Sequence, residues 1–250
     1  MSKHHTYIVT GASRGLGLAM ARQLRGQGHR LLTLSRHPNA ELDGPGVEQW
    51  AVDLARPAHA AAQLSAWVAA LPRGEIASLS LINNAAGLAA LAPLGDIEAD
   101  DLSAALRVGL EAPMLLASAF LRASADLSVP RRVLNISSGL GRFAMAGSAV
   151  YCAAKAGLDH LSRAVALEEA ARPNGAKIVS LAPGVVDTDM QLQLRSADPA
   201  AFADAARFAS MKAEGRLDSA ESAAAKVLAW LASAGFGSHP IGDVREPIQA

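Results

Sequence analysis

The chain is 250 residues long, 51% hydrophobic and 18% charged, and its 23 lysines and arginines balance 23 aspartates and glutamates. That balance excludes a global field drawing it to nucleic acid or an anionic membrane, and the composition excludes a disordered or disulfide-stapled chain. Its one cysteine, Cys152, permits no internal disulfide and fits a reducing, cytoplasmic setting.

Met1 to Tyr7 is polar, lacks the apolar core of a signal peptide, and leads into a first strand at Thr6–Thr10. The chain then reads Thr10-Gly11-Ala12-Ser13-Arg14-Gly15-Leu16-Gly17 and continues into a helix over Gly15–Gln27. Glycines between a strand and a helix suit a tight turn, and the helix N-terminus supplies N–H donors to a pyrophosphate. Three nearby glycines also occur in ordinary loops, so position gives this motif its weight. The second strand, Arg30–Ser35, ends in Leu34-Ser35-Arg36-His37 without the carboxylate that would accept hydrogen bonds from a ribose 2′-hydroxyl. Arg14 and Arg36 instead suit a 2′-phosphate, which favours NADP(H) over NAD. The third strand, Val47–Asp53, ends at a carboxylate that either meets the adenine or caps the helix Pro57–Leu71.

Ala77 to Gly95 carries no charge, but Asn83, Asn84, Gly87 and Pro93 make it a buried strand, Ser78–Asn83, and a loop rather than a membrane span. A long helix follows over Asp100–Ser124, then a strand Arg132–Ser137, a helix Ala149–Ala171 and a strand Lys177–Ala182. Pro199 to Lys212 is an alanine-rich helical insertion; with its flanks, about 185–215, it makes a lid over the substrate. Asp218 and Glu221 are a capping pair for the helix Ala220–Ala234, and a short strand Ile241–Val244 closes the pattern. Strand–helix alternation with continuous apolar strands implies an α/β fold: a doubly wound parallel sheet of about seven strands, helices on both faces. No repeat or linker divides it, so residues 1–250 read as one domain.

Tyr151 and Lys155 lie one helical turn apart, on one face, with Ser138 at the end of the preceding strand. A cation beside a phenol favours phenolate and lowers its pKa, which suits the proton exchange of carbonyl and alcohol chemistry. A lone pair of this spacing is more often a packed tyrosine and a solvated lysine; the accompanying motifs change that balance. The histidines lack metal-ligand spacing, so no metal is expected.

Together the segments TGASRGLG at 10–17, Asp53, NNAAG at 83–87, NISS at 135–138, YCAAK at 151–155 and PGVVDTDM at 183–190 resemble the short-chain dehydrogenase/reductase family in its single-domain form. The resemblance runs from Thr10 to about Val244. It implies a Rossmann-type fold, a nicotinamide cofactor and a homodimer or homotetramer, often built through the helix carrying Tyr151. It also implies roles: Tyr151 as proton donor in reduction, Lys155 lowering the phenol's pKa and holding the nicotinamide ribose, Ser138 holding the substrate oxygen. Cofactor contacts would come from Gly11, Ser13, Arg14, Gly15, Leu16, Gly17, Ser35, Arg36, Asp53, Leu54, Asn83, Ala85, Gly87, Tyr151, Lys155, Pro183, Gly184, Val186 and Thr188.

Two departures stand out. Gly109 occupies the place of the family's asparagine in a V-N-L segment, and Ala86 stands at a usual glycine. Gly109 puts a proton relay to Lys155 in doubt and hints at local distortion or close contact, since glycine in mid-helix costs about 1 kcal/mol against alanine. The segment 110–116 and the ending Gly242-Asp243-Val244-Arg245 resemble the sepiapterin reductase/benzil reductase-like branch. That implies reduction of a vicinal dicarbonyl or a pterin side-chain ketone, with Asp243 either near the substrate or a turn residue. The expected activity is NADP(H)-dependent reduction of a ketone. A dinucleotide sensor without turnover and an NAD-linked alcohol dehydrogenase are the competing readings.

Overall fold

A computed structural model describes residues 3–247; positions 1–2 and 248–250 of the expected 1–250 domain lie outside the described residues. Seven strands are present: β1 His4–Thr10, β2 Arg30–Ser35, β3 Val47–Ala51, β4 Ile76–Asn83, β5 Arg131–Ile136, β6 Lys177–Ala182 and β7 Ile241–Asp243. All are parallel, in the order β3-β2-β1-β4-β5-β6-β7. The helices are α1 Gly15–Gly26, α2 Pro57–Ala69, α3 Ala99–Leu106, α4 Ala112–Ala123, α5 Ala149–Ala170, α6 Asp189–Arg195, α7 Ala205–Ala213 and α8 Ala220–Ala232.

Successive strand residues point to opposite faces, so each strand is apolar on both sides and supplies two cores. Ile8, Leu32, Leu81 and Val133 pack with Leu64 of α2 and Phe120 of α4. Val9, Leu31, Ile82 and Val179 pack with Met20 of α1 and Val227 of α8. The sheet is therefore covered on both faces. The helix run Ala99–Ala123 is long and apolar enough to cross a membrane by length and composition, but it is a core helix: Leu116 and Phe120 are fully buried against the sheet.

Several expected boundaries move by one or two residues, and three differences have a local physical cause. β3 stops at Ala51, and Asp53 leaves the strand because its carboxylate accepts the Ala55 N–H at 3.0 Å, a local turn that competes with the ladder. The α8 cap is Ser219, whose hydroxyl accepts the Ser222 N–H at 3.1 Å, whereas Asp218 pairs with Lys226 at 2.7 Å. The expected helix Asp100–Ser124 is interrupted by a π-helical turn at Arg107–Glu111, centred on Gly109.

Phe120 fills the α4 side of the first core with no exposed surface. Phe120→Ala is expected to cost about 3–5 kcal/mol, read as a lower denaturant midpoint at unchanged slope.

Candidate active site

The strand order reverses between β1 and β4, and in such folds ligands bind in the crevice beyond the carboxyl ends of the strands at that point. Here the crevice is built around the glycine turn. Gly11 and Gly15 adopt φ of 69° and 54°, left-handed values that suit glycine. A Cβ on Gly17 would fall 2.2 Å from the Gly11 carbonyl oxygen and 2.5 Å from Asn84 Nδ2, so the helix start can lie this close to the strand end only without a side chain. The turn is braced from two sides. Thr10 Oγ1 accepts the N–H groups of Asn84 and Ala85 at 2.9 and 3.0 Å, and Asn84 Nδ2 donates to the Thr10 and Gly11 carbonyls at 2.9 and 3.2 Å. Ser35 Oγ accepts the Ala12 N–H at 2.9 Å, and Asn39 Nδ2 donates to the Ser13 carbonyl at 3.0 Å.

A Cβ on Gly15 would sit 3.4 Å from Thr188 Cγ2, and one on Gly11 would sit 3.0 Å from Ala85 Cα. The structure thus brings Gly11, Gly15, Ala85 and Thr188 to one cleft, with α1 opening onto it. Backbone N–H groups without side-chain cover, at the start of a twelve-residue helix, suit a pyrophosphate. The remaining expected cofactor residues divide. Arg36 is exposed at the end of β2 with no ion pair among the described residues. Arg14 is also exposed but pairs with Asp189 of α6 at 2.8 Å. Ser35 and Leu54 are buried, Ser35 bonded to the turn and Leu54 in the core, so only their backbones can face a ligand. Gly87 packs beside Ala105 and Val108, and Val186 bridges to Asp218 beside Pro183 and Gly184. The Asn83 side chain is 2% exposed and donates to Asn135 Oδ1 at 2.9 Å, which leaves its backbone to a ligand, and Asn135 continues to Ser162 of α5 at 2.9 Å. That chain seats α5 on the sheet, and it is Asn84, missed in the sequence, that shapes the cleft.

α5 carries Tyr151, Lys155 and Asp159 at successive turns. Lys155 Nζ lies 5.6 Å from the Tyr151 ring centroid, so both groups face the same way. Lys155 is 2% exposed and donates to the Ile136 carbonyl at 2.7 Å, beside the end of β5 where Ser138 stands. Ser138 Oγ accepts the Leu140 N–H at 3.2 Å and acts on the Tyr151 phenol, lowering its pKa. Although the Tyr151 ring keeps some solvent contact, its phenol is pushed up to about 12, chiefly by burial; Ser138 opposes this and the Cys152 thiol adds to it. Burial likewise lowers Lys155 to about 8, against the attraction of Asp159. Loss of water is thus the largest influence on both groups.

The segment from α6 to α7 packs on the far side. Phe202 is fully buried and stacks on Phe208 at 5.9 Å, and both pack with Met145, Leu140, Cys152 and Leu194. Asp187 ties this segment by accepting from Arg195 at 3.0 Å and from Lys212, which holds its carboxyl below the usual range. Asp243 is bonded to Arg245 at 2.6 Å and lies 3.9 Å from Arg142, so its charge is already compensated and it is not a free substrate group. Among the described residues no cluster of His, Cys, Asp or Glu could hold a metal.

A profile described as short chain dehydrogenase matches residues 5–199. The chain belongs to the short-chain dehydrogenase/reductase family. It is 35% identical to a benzil reductase ((S)-benzoin forming) of Bacillus cereus over 221 residues, 86% of this chain and 88% of that one. A Bacillus subtilis (strain 168) benzil reductase is 32% identical over 240 residues, covering 96% and 98%. A putative NAD(P) dependent gluconate 5-dehydrogenase from Beutenbergia cavernae, solved with NADP at low occupancy, superposes with a TM-score of 0.79 at 29% identity, covering 97% and 95%. The chain is thus an oxidoreductase of CH–OH and C=O groups in the benzil reductase-like branch of this dehydrogenase/reductase family.

Gly109, where this reductase lacks the family's asparagine, packs against α5: a Cβ there would lie 3.2 Å from Ala154 Cβ, next to Lys155. The π-helical turn sends the Ala112 N–H to Arg107, and Pro113 has no N–H to offer the Gly109 carbonyl four residues back. Distortion and close contact are both present.

Because Gly17 leaves no room for a methyl group, Gly17→Ala is expected to weaken reduced-dinucleotide binding at least about tenfold, roughly 1.4 kcal/mol. Cofactor fluorescence titration checks it, with circular dichroism confirming the fold.

Proposed function

We propose that the protein is an NADPH-dependent reductase of uncharged apolar ketones, with a vicinal dicarbonyl of the benzil kind as its best substrate. One observation carries the reading: Lys155 Nζ lies 5.6 Å from the Tyr151 ring centroid and donates to the Ile136 carbonyl at the strand end that leads to Ser138, so a proton donor, a cation and a hydroxyl meet at one point. Bound nicotinamide would supply the hydride to the carbonyl carbon. Ser138 would donate its hydroxyl proton in a hydrogen bond to the carbonyl oxygen, stabilising charge as it develops there. Tyr151 would then protonate that oxygen, an acceptor that becomes far more basic than the phenolate left behind. Lys155, as an ammonium over the ring, would stabilise the phenolate and draw a replacement proton. The carbonyl freed at Gly109 would hold the water of that relay in the asparagine's place.

The cofactor preference rests on the missing carboxylate after β2 and on Arg36, which is exposed and unpaired among the described residues. Arg14 would exchange Asp189 for the 2′-phosphate, a low-cost exchange because exposed pairs contribute only about 0–1 kcal/mol. The substrate class rests on the lid, whose packed cluster is aromatic and aliphatic. A pterin ketone would fit the same chemistry. We read the chain as one cytoplasmic domain that assembles as a homodimer or homotetramer, with residues 185–215 as its lid.

Consumption of NADPH, followed by its absorbance across a panel of benzil, other diketones, quinones and pterins, tests the reading. Turnover should be fastest on benzil. Tyr151→Phe should lower kcat by about 10²–10⁴ with the cofactor still bound, and Arg36→Asp should shift preference from NADPH towards NADH. Tight NADPH binding with no turnover on any carbonyl would instead support a sensor.

A further inference from the structure

We infer that Asp159 is a positioning residue of the reductase centre, whose negative charge keeps the buried Lys155 amine an ammonium over Tyr151. The inference rests on the proposed reduction. An ammonium has three donors, and Lys155, 2% exposed, has one acceptor among the described residues, the Ile136 carbonyl. Such a group is costly to keep charged without a countercharge. The charged groups around it are few. On α5 itself there are Tyr151 and Asp159. The loop after β5 contributes Arg142; β7 and the residues after it contribute Asp243 and Arg245. β6 contributes the neutral Ser180.

Of these, Asp243 is bonded to Arg245 through both oxygens, whereas Asp159 lies one helical turn from Lys155 on the same face and attracts it. Asp159 is 2% exposed and is held from two strands, accepting Ser137 Oγ at 2.5 Å and Ser180 Oγ at 2.7 Å, both on Oδ1. Its Oδ2 has no hydrogen-bond partner among the described residues and faces Arg142 Nε at 3.5 Å. The loop comes this close because residue 141 is glycine: a Cβ there would lie 3.0 Å from both Asp159 Oδ2 and the Lys155 carbonyl. Ser137 adjoins Ser138, so one carboxylate ties the serine's strand end to the lysine's helix.

Tethering and charge separate cleanly. Asp159→Asn preserves the shape and an oxygen for both serines, and removes only the charge. Arg142→Gln does the reverse, leaving Asp159 less compensated. Lys155 is followed in ligand-free protein by the 13Cε shift of labelled lysine, assigned with Lys155→Met, and in parallel by the alkaline limb of kcat/KM for benzil. D159N should move both ionisations down by at least about one pH unit, a tenfold loss of proton affinity. D159E should restore them, and R142Q should move them up. Lysine ionisation unchanged in both D159N and R142Q, with any rate loss equal at every pH, would reduce Asp159 to a tether and overturn the inference. If D159N does not fold, Asp159→Ser, which also removes the charge, carries the same test. Wild-type protein inert to every carbonyl, with the lysine shifts as expected, would sink the substrate reading and leave the coupling standing.

Discussion

Removal of water from the end of β5 sets the chemistry of this protein. Ser138, Tyr151 and Lys155 converge there because α5 is pressed onto the sheet through the buried chain Asn83–Asn135–Ser162 and through Asp159 with Ser137 and Ser180. The same closeness that aligns the groups also desolvates them. It raises the phenol and lowers the amine, so each favours its neutral form. For a phenol that donates a proton this is the right bias. For the lysine it is a cost, offset by a carboxylate one turn further along the helix.

The nucleotide cleft obeys a related constraint. A pyrophosphate needs bare backbone N–H groups held still, and stillness here comes from Thr10, Ser35, Asn39 and Asn84 bonding the turn on both sides. Affinity is thereby concentrated in a preorganised backbone. In the proposed reading, selectivity is left to exposed side chains at the rim, Arg14 and Arg36. Reactivity is buried, while cofactor choice sits at the surface where single substitutions can change it.

Much of this was legible in the chain. The continuous apolar strands gave seven parallel β segments because a sheet buried on both faces has no polar side to show. The shared direction of Tyr151 and Lys155 was legible because a four-residue spacing fixes a shared helix face. Their burial was not legible in that spacing. The two adjacent asparagines could not be told apart from composition; alternation decides that Asn83 points into the core and Asn84 towards the turn. Gly109 signalled a distortion, but the π-helical turn also needed Pro113, whose missing N–H frees a carbonyl. Asp159 was hidden because a carboxylate on a helix ordinarily faces solvent, and only the packing of Gly141 against it shows otherwise.

The claim that burial holds the phenol neutral is open to direct measurement. The chain has two tyrosines, so in a Tyr7→Phe variant the ultraviolet phenolate absorbance reports Tyr151 alone. The account predicts no ionisation in the ligand-free protein until well above the ordinary tyrosine value of 10.0, with a midpoint at about 12. A phenolate appearing near neutral pH would contradict it, and would show that the lysine's charge, rather than the loss of water, governs this site.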